Sequence, residues 1–120
     1  MKKNKLCYLL ILIAGIYACT NSVKGNYINY FARAGLVTPK FGDEKLNEHL
    51  KSGEILFNKL GSAAAKKDMY QRDELNAAYL KWLSEAKKFG PKLSREEGQR
   101  LFDYLTTVNQ SWNTYKSDLF

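Results

Sequence analysis

Between Leu46 and Leu119 the apolar residues recur in steps of four and three, in three separate runs. Leu46, Leu50, Gly53, Phe57, Leu60 and Ala64 form the first run. Leu75, Tyr79, Trp82, Ala86 and Phe89 form the second, and Leu101, Leu105, Val108, Trp112, Tyr115 and Leu119 the third. Such spacing holds a stripe on one side of an α-helix, and no run alternates as a half-buried strand would. None of the stripes can be buried alone, so the three must cover one another. The expectation is an all-α chain: a small antiparallel helical bundle of three main helices crossing at shallow angles, plus a short N-terminal helix.

The punctuation agrees with the stripes. Asp43 is suited to cap the first long helix, with Glu44 at the positive end of its dipole. Gly53 and Gly61 each lower helix propensity by about 1 kcal/mol, which predicts a kink or break near Gly61-Ser62. Asp68 or Asp73 caps the next helix, and Gly90-Pro91 ends it, Gly90 as the residue just past the helix and Pro91 as the stop. Ser94-Arg95-Glu96-Glu97 has the form of a capping box and opens the last helix. Residues 27–34 are ambiguous: Tyr27, Phe31 and Ala34 have helical spacing, while Ile28 and Tyr30 would also share a strand face. Gly35 and Thr38-Pro39 beyond them favour a short helix that stops there.

Ahead of this region lies a stretch of different character. Lys2, Lys3 and Lys5 precede an uncharged apolar run of thirteen residues, Leu6 to Ala18, and small residues gather before Cys19. A positive segment, a short apolar core and a small-residue site form the layout of a secretory signal peptide. A spanning helix needs roughly twenty apolar residues, so a permanent membrane span is the weaker reading. The predicted organisation is a signal peptide over residues 1–18, cleaved after Ala18, then Cys19 with a polar tether over 19–26, then a helical domain over 27–120. The mature segment of 102 residues has room for one core. Three of the nineteen Lys and Arg residues fall in the leading segment, which leaves sixteen against twelve acidic ones. That mild, dispersed excess does not argue for nucleic acid.

Of the two cysteines, Cys7 lies in the apolar run, so the body of the domain has no internal disulfide. Cys19 follows Ile16-Tyr17-Ala18, an order similar to a bacterial lipobox, and the resemblance implies lipidation of Cys19 with cleavage just before it. Acylation would consume a lone thiol that export otherwise exposes to oxidation. Each buried methylene is worth ~0.8 kcal/mol, so two or three chains hold a protein on a membrane where one does not. The alternative is ordinary cleavage after Ala18, which leaves a soluble domain with a free thiol.

Catalytic groups are scarce. His49 is the single histidine, at the edge of the first stripe, and reads as a partly buried structural residue. With one histidine and no body cysteine a zinc site would need carboxylates alone. Glu96 and Glu97 are accounted for by capping and the helix dipole. No glycine-rich phosphate loop, Ser/His/Asp set or haem motif is present. The expectation is a chain with no enzymatic activity, no cofactor and no metal.

Two features point toward a partner. Lys87, Lys88, Lys92 and Arg95, with Arg100 about a turn further on, form a candidate patch for an anionic ligand such as sulfated polysaccharide or anionic lipid. Trp82 and Trp112 read as core residues. Tyr70, Phe102 and Tyr104 lie off the stripes and are predicted to pack the N-terminal segment, the alternative being an exposed aromatic patch.

A Lys-rich leader, the Ile16-Tyr17-Ala18-Cys19 site, a polar tether and a small helical domain rich in Lys, Asn and Tyr together resemble spirochaete outer-surface lipoproteins. The Borrelia-type plasmid-encoded families are the ones resembled, including the small Orf-D lipoproteins. Tyr17 stands where a lipobox usually has a small residue, and these lipoproteins tolerate bulkier residues there. The resemblance implies a non-catalytic protein held by its acyl chains on the bacterial outer membrane, at the cell surface, and contacting a host protein or sulfated polysaccharide. The alternative is a periplasmic structural or accessory subunit of an envelope complex. Helices with heptad seams can also pair with another copy, and the sequence leaves the oligomeric state open.

Overall fold

The computed structural model describes residues 28–120, and the expectations for Ala18, Cys19 and the tether therefore lie outside the described residues. Four α-helices account for most of this region: α1 (Tyr30–Arg33), α2 (Glu44–Lys66), α3 (Met69–Lys87) and α4 (Arg95–Asp118), with a 3₁₀ turn at Gly90–Lys92 between the last two. No strand occurs among the described residues, and none of their helices is long and apolar enough to cross a membrane.

Local chemistry explains each boundary. Asp43 caps α2 by accepting from the amides of Lys45 and Leu46, at 3.0 and 3.2 Å. At the other end Lys67 turns left-handed, with φ at 56°. The amide of Lys67 then reaches the Ala64 carbonyl and that of Asp68 the Ala63 carbonyl, the Schellman pattern that a glycine usually closes. Asp68 caps α3 at once, accepting from Gln71 N at 3.0 Å. With only Lys67 and Asp68 between them, α3 returns along α2, so His49 near the start of α2 bonds Trp82 near the end of α3.

The stripes lie where the spacing puts them. Every residue of the first run is buried, as are Leu75, Tyr79, Trp82 and Ala86 of the second and Leu101, Leu105, Val108 and Trp112 of the third. Phe89 and Tyr115 are half-buried, and Leu119 is exposed. Helix α2 is the hub: it packs most extensively on α3 and also meets α1 and α4, while α3 and α4 touch each other less. Aromatic rings bind the three long helices. Tyr79 stacks on Trp112 at 4.0 Å and on Trp82 at 5.7 Å, and Phe57 meets Trp112 edge-on at 6.1 Å. The polar handles are satisfied inside: Trp112 Nε1 donates to Asn76 at 2.9 Å and the Tyr79 hydroxyl to Asn109 at 2.8 Å.

Several local expectations are corrected. Helix α2 runs through Gly61-Ser62 without a break, because Gly61 is a contact surface: a Cβ there would fall inside the Tyr30 ring. Gly53 does the same for Trp82. Gly90 does not terminate α3 in a left-handed conformation; α3 ends at Lys87, and Gly90 begins the 3₁₀ turn with Pro91. Gly35, in contrast, is left-handed with φ at 80° and closes α1 as expected. The capping box is only half formed. Ser94 Oγ accepts from Glu97 N at 3.2 Å, but the Glu97 carboxylate reaches away to Gly42 N at 3.3 Å.

The segment before α2 is part of the core. Phe31 packs edge-on against Phe57 at 5.8 Å, and its amide donates to Asn58 Oδ1 at 3.1 Å. Leu36 and Phe41 are also buried. Asn47 pins Phe41 from both sides, accepting from its amide and donating to its carbonyl, each at 2.8 Å.

Candidate functional site

The connection from α3 to α4 gathers most of the predicted basic residues at one end of the molecule. Lys87 closes α3, Lys88 follows it, Lys92 ends the 3₁₀ turn and Arg95 starts α4, and all four are exposed. Lys92 lies over the Phe89 ring with its Nζ at 5.7 Å. Among the described residues the ion pair present is Arg72–Asp73, so none of these four charges is neutralised by a carboxylate in contact. Arg100 departs from the group. Its guanidinium sits over Phe41 at 4.8 Å and donates to the Lys40 carbonyl at 3.2 Å, which ties α4 to the loop before α2. Arg100 is exposed like the other four but, unlike them, is tied down by a side-chain hydrogen bond.

Beside this corner, α3 and α4 diverge and leave an open groove of about 700 Å³. Leu83, Leu101 and Leu105 make its apolar bed, and Gly90 and Gly98 form the wall nearest the α3–α4 connection. Lys87 is the one charged residue among those lining it. Phe102 also lines it and is 65% exposed. The predicted packing role of the off-stripe aromatics therefore divides. Tyr104 packs the N-terminal segment, but Phe102 and Tyr70 face solvent, Tyr70 at 76% exposure. Residues 102 and 104 are two positions apart on a helix, about 200° around its axis, so they cannot share a face.

Tyr104 belongs to a partly buried chain of hydrogen bonds. The Thr38 hydroxyl donates to Glu54 Oε2 at 2.7 Å and so accepts from the Tyr104 hydroxyl at 2.9 Å. Burial pushes the Tyr104 phenol up to about 12; the bond with Thr38 works against the rise and the Glu54 carboxylate adds to it. Burial also raises the Tyr79 phenol far above its ordinary value, with a smaller push from Tyr104.

A second, shallower depression of about 400 Å³ lies between α2 and α3 over His49 and Trp82. The two residues are mutually bonded. Trp82 Nε1 donates to the His49 carbonyl at 2.7 Å, and His49 Nε2 lies 2.9 Å from the Trp82 carbonyl, so Nε2 carries the proton. The rings stack at 5.5 Å and 10°. His49 is occupied as a clamp between two helices, in keeping with the structural role expected of it. Among the described residues no three His, Cys, Asp or Glu side chains come together as a metal-holding group.

The groove is the feature that sequence reasoning missed. Its signal lies in Phe102, an apolar residue that no stripe accounts for. Compared with protein-family models, curated proteins and solved structures, the chain matches none of them.

Proposed function

We propose that this chain is a lipid-anchored bacterial surface protein whose helical domain binds an anionic host or envelope macromolecule without catalysing a reaction. Residues 1–18 act as the signal peptide, Cys19 carries the acyl chains, residues 19–26 are the tether, and residues 27–120 are the binding domain. We take the three long helices as an antiparallel bundle with α1 laid on its flank. Such a scaffold presents one corner rigidly.

The observation that carries the binding reading is the exposed cluster of Lys87, Lys88, Lys92 and Arg95, free of carboxylate contacts among the described residues. Clustered cations on a rigid turn attract polyanions through many weak contacts, and screening weakens them as ionic strength rises. Sulfated polysaccharide, or the acidic face of a host protein, has the matching chemistry; nucleic acid is not the intended partner. The anchor reading rests on Ile16-Tyr17-Ala18-Cys19.

Metabolic labelling with a fatty acid tests the anchor: label is expected on the native chain and lost in Cys19→Ser. Label on neither would remove the surface reading. Protease digestion of intact cells is expected to cleave the protein without lysis, and protection would assign it to the periplasm instead. The patch is tested by heparin retention, with Lys87→Glu combined with Lys88→Glu expected to elute at lower salt. Elution unchanged at low ionic strength would refute the polyanion role.

A further inference from the structure

The groove between α3 and α4 has a chemistry that the basic corner alone does not explain. Its bed is hydrocarbon: Leu101 and Leu105, nearly inaccessible themselves, back it beside Leu83, and Phe102 stands over the rim. A concave, mostly apolar site with a few polar groups is the usual form of a small-molecule site. At one end the wall is made by Gly90 and Gly98, which contribute no side chain. A Cβ built on Gly98 would have only the Gly90 carbonyl near it, at 3.8 Å. Lys87, three residues before Gly90, also lines the groove, and among the described residues it forms no ion pair and no carboxylate lines the groove.

Toward the other end the Asn109 Oδ1 accepts from the Tyr79 hydroxyl, the Thr106 hydroxyl donates to the Phe102 carbonyl, and Gln110 adds an uncharged amide. A trough with one unpaired cation near a glycine-walled end, leucine side chains in its bed and neutral polar groups at the far end complements an unbranched chain with an anionic head. We infer that the groove binds a long-chain fatty acid, its carboxylate at Lys87 and its chain along Leu83, Leu101 and Leu105 under Phe102.

From Gly98 to Gln110 the lining follows α4 for about 18 Å, an elongated run that suits an extended acyl chain. The inference stands apart from the polyanion reading, although Lys87 borders both sites, and Gly98 separates them: filling the groove there leaves the exposed corner unchanged.

The test titrates the full chain with laurate below its micelle concentration, followed by amide chemical shifts. Dodecanol and dodecyltrimethylammonium serve as neutral and cationic probes of equal length. Laurate is expected to move the signals of Gly98, Leu101, Phe102 and Leu105. Octanoate, decanoate and laurate should tighten roughly fourfold per added methylene, the increment of a buried CH₂. Dodecanol, and laurate with Lys87→Gln, should bind about tenfold more weakly, as loss of a charge-assisted contact implies.

Gly98→Leu should abolish laurate binding and keep heparin retention, whereas Lys88→Glu should lower heparin retention and leave laurate affinity within about twofold, since Lys88 does not line the groove. Phe102→Asp, at an exposed position, is the second blocking variant should Gly98→Leu fail to fold. Equal affinity for all three head groups, shifts confined to other residues, or indifference to both blocking variants would overturn the inference. So would the same shifts appearing with anionic phospholipid vesicles but not with free laurate, or vanishing on dilution of the protein alone, which would assign the groove to a membrane surface or to a second copy.

Discussion

Gly53→Ala is the substitution on which the packing logic makes its sharpest demand. On propensity alone, alanine in place of a mid-helix glycine stabilises by about 1 kcal/mol. At Gly53 the added methyl would fall inside the Trp82 indole. Trp82 cannot simply withdraw, because its Nε1 is bonded to the His49 carbonyl and its face is stacked on His49 and Tyr79. Forcing a methyl into a packed site costs about 1–3 kcal/mol, and breaking the Trp82–His49 bond costs about 1 kcal/mol more. After the propensity gain is subtracted, the expected net loss is about 1–3 kcal/mol. For a domain of this size that lowers Tm by roughly 4–8 °C per kcal/mol. Gly98→Ala is the matched control, since its methyl meets only the Gly90 carbonyl at 3.8 Å; it should raise stability by about 0.5–1 kcal/mol. Urea unfolding of both variants, followed by far-UV circular dichroism, reads the two midpoints. If Gly53→Ala shifts the midpoint upward as Gly98→Ala does, Trp82 does not sit against α2 at Gly53 and the account of the α2–α3 contact is wrong.

Three further outcomes follow from the described geometry. Lys67→Gly should stabilise by about 1 kcal/mol, because a side chain in the left-handed position that closes α2 is strained and glycine is not; the urea midpoint reads it, and a decrease would refute the strain. Asn76→Leu should cost about 1–3 kcal/mol by leaving the buried Trp112 Nε1 without an acceptor, with calorimetry as the measure and a neutral result as the refutation. Tyr104, held protonated by burial, is raised from about 10 to about 12. Its contribution is therefore complete below pH ~10 and is lost at about 1.4 kcal/mol per pH unit as pH rises to ~12. Tyr79 adds a slope of the same sign, so Tyr104→Phe should shallow the alkaline fall in stability without abolishing it; an unchanged slope would show that Tyr104 ionises freely in the folded state.

The buried faces of the three long helices are legible in the sequence because a four-and-three repeat is a local property. Leu46 through Ala64 and Leu101 through Trp112 need no knowledge of a partner to declare one side of a helix apolar. What a residue meets across the interface is not local, and there the spacing of residues misleads. Gly61 has the look of a weak point because propensity counts only the helix that contains it; its role is set by the Tyr30 ring, thirty-one positions away. Arg100 resembles part of a basic surface because it lies about a turn beyond Arg95, yet its guanidinium is engaged by Phe41 and the Lys40 carbonyl. Glu97 has the right spacing for a reciprocal cap and goes instead to Gly42.

The candidate groove follows from the same division between local and distant information. A heptad stripe states that a helix buries one face, and it is silent on how many neighbours share the covering. Here α2 takes most of the contact, packing on α1, α3 and α4, so α3 and α4 satisfy their stripes largely against the hub and meet each other only in part. Phe102 on α4, an apolar residue beyond the stripe, is left exposed in the lining of the gap. Phe102→Lys separates the alternatives. If the gap is only a packing remainder, the variant should fold with stability within about 0.5 kcal/mol of the native chain, as surface changes do, and no binding property should change. If the surplus apolar surface serves a ligand, stability should be equally unaffected while laurate affinity falls, because Phe102 no longer covers the chain.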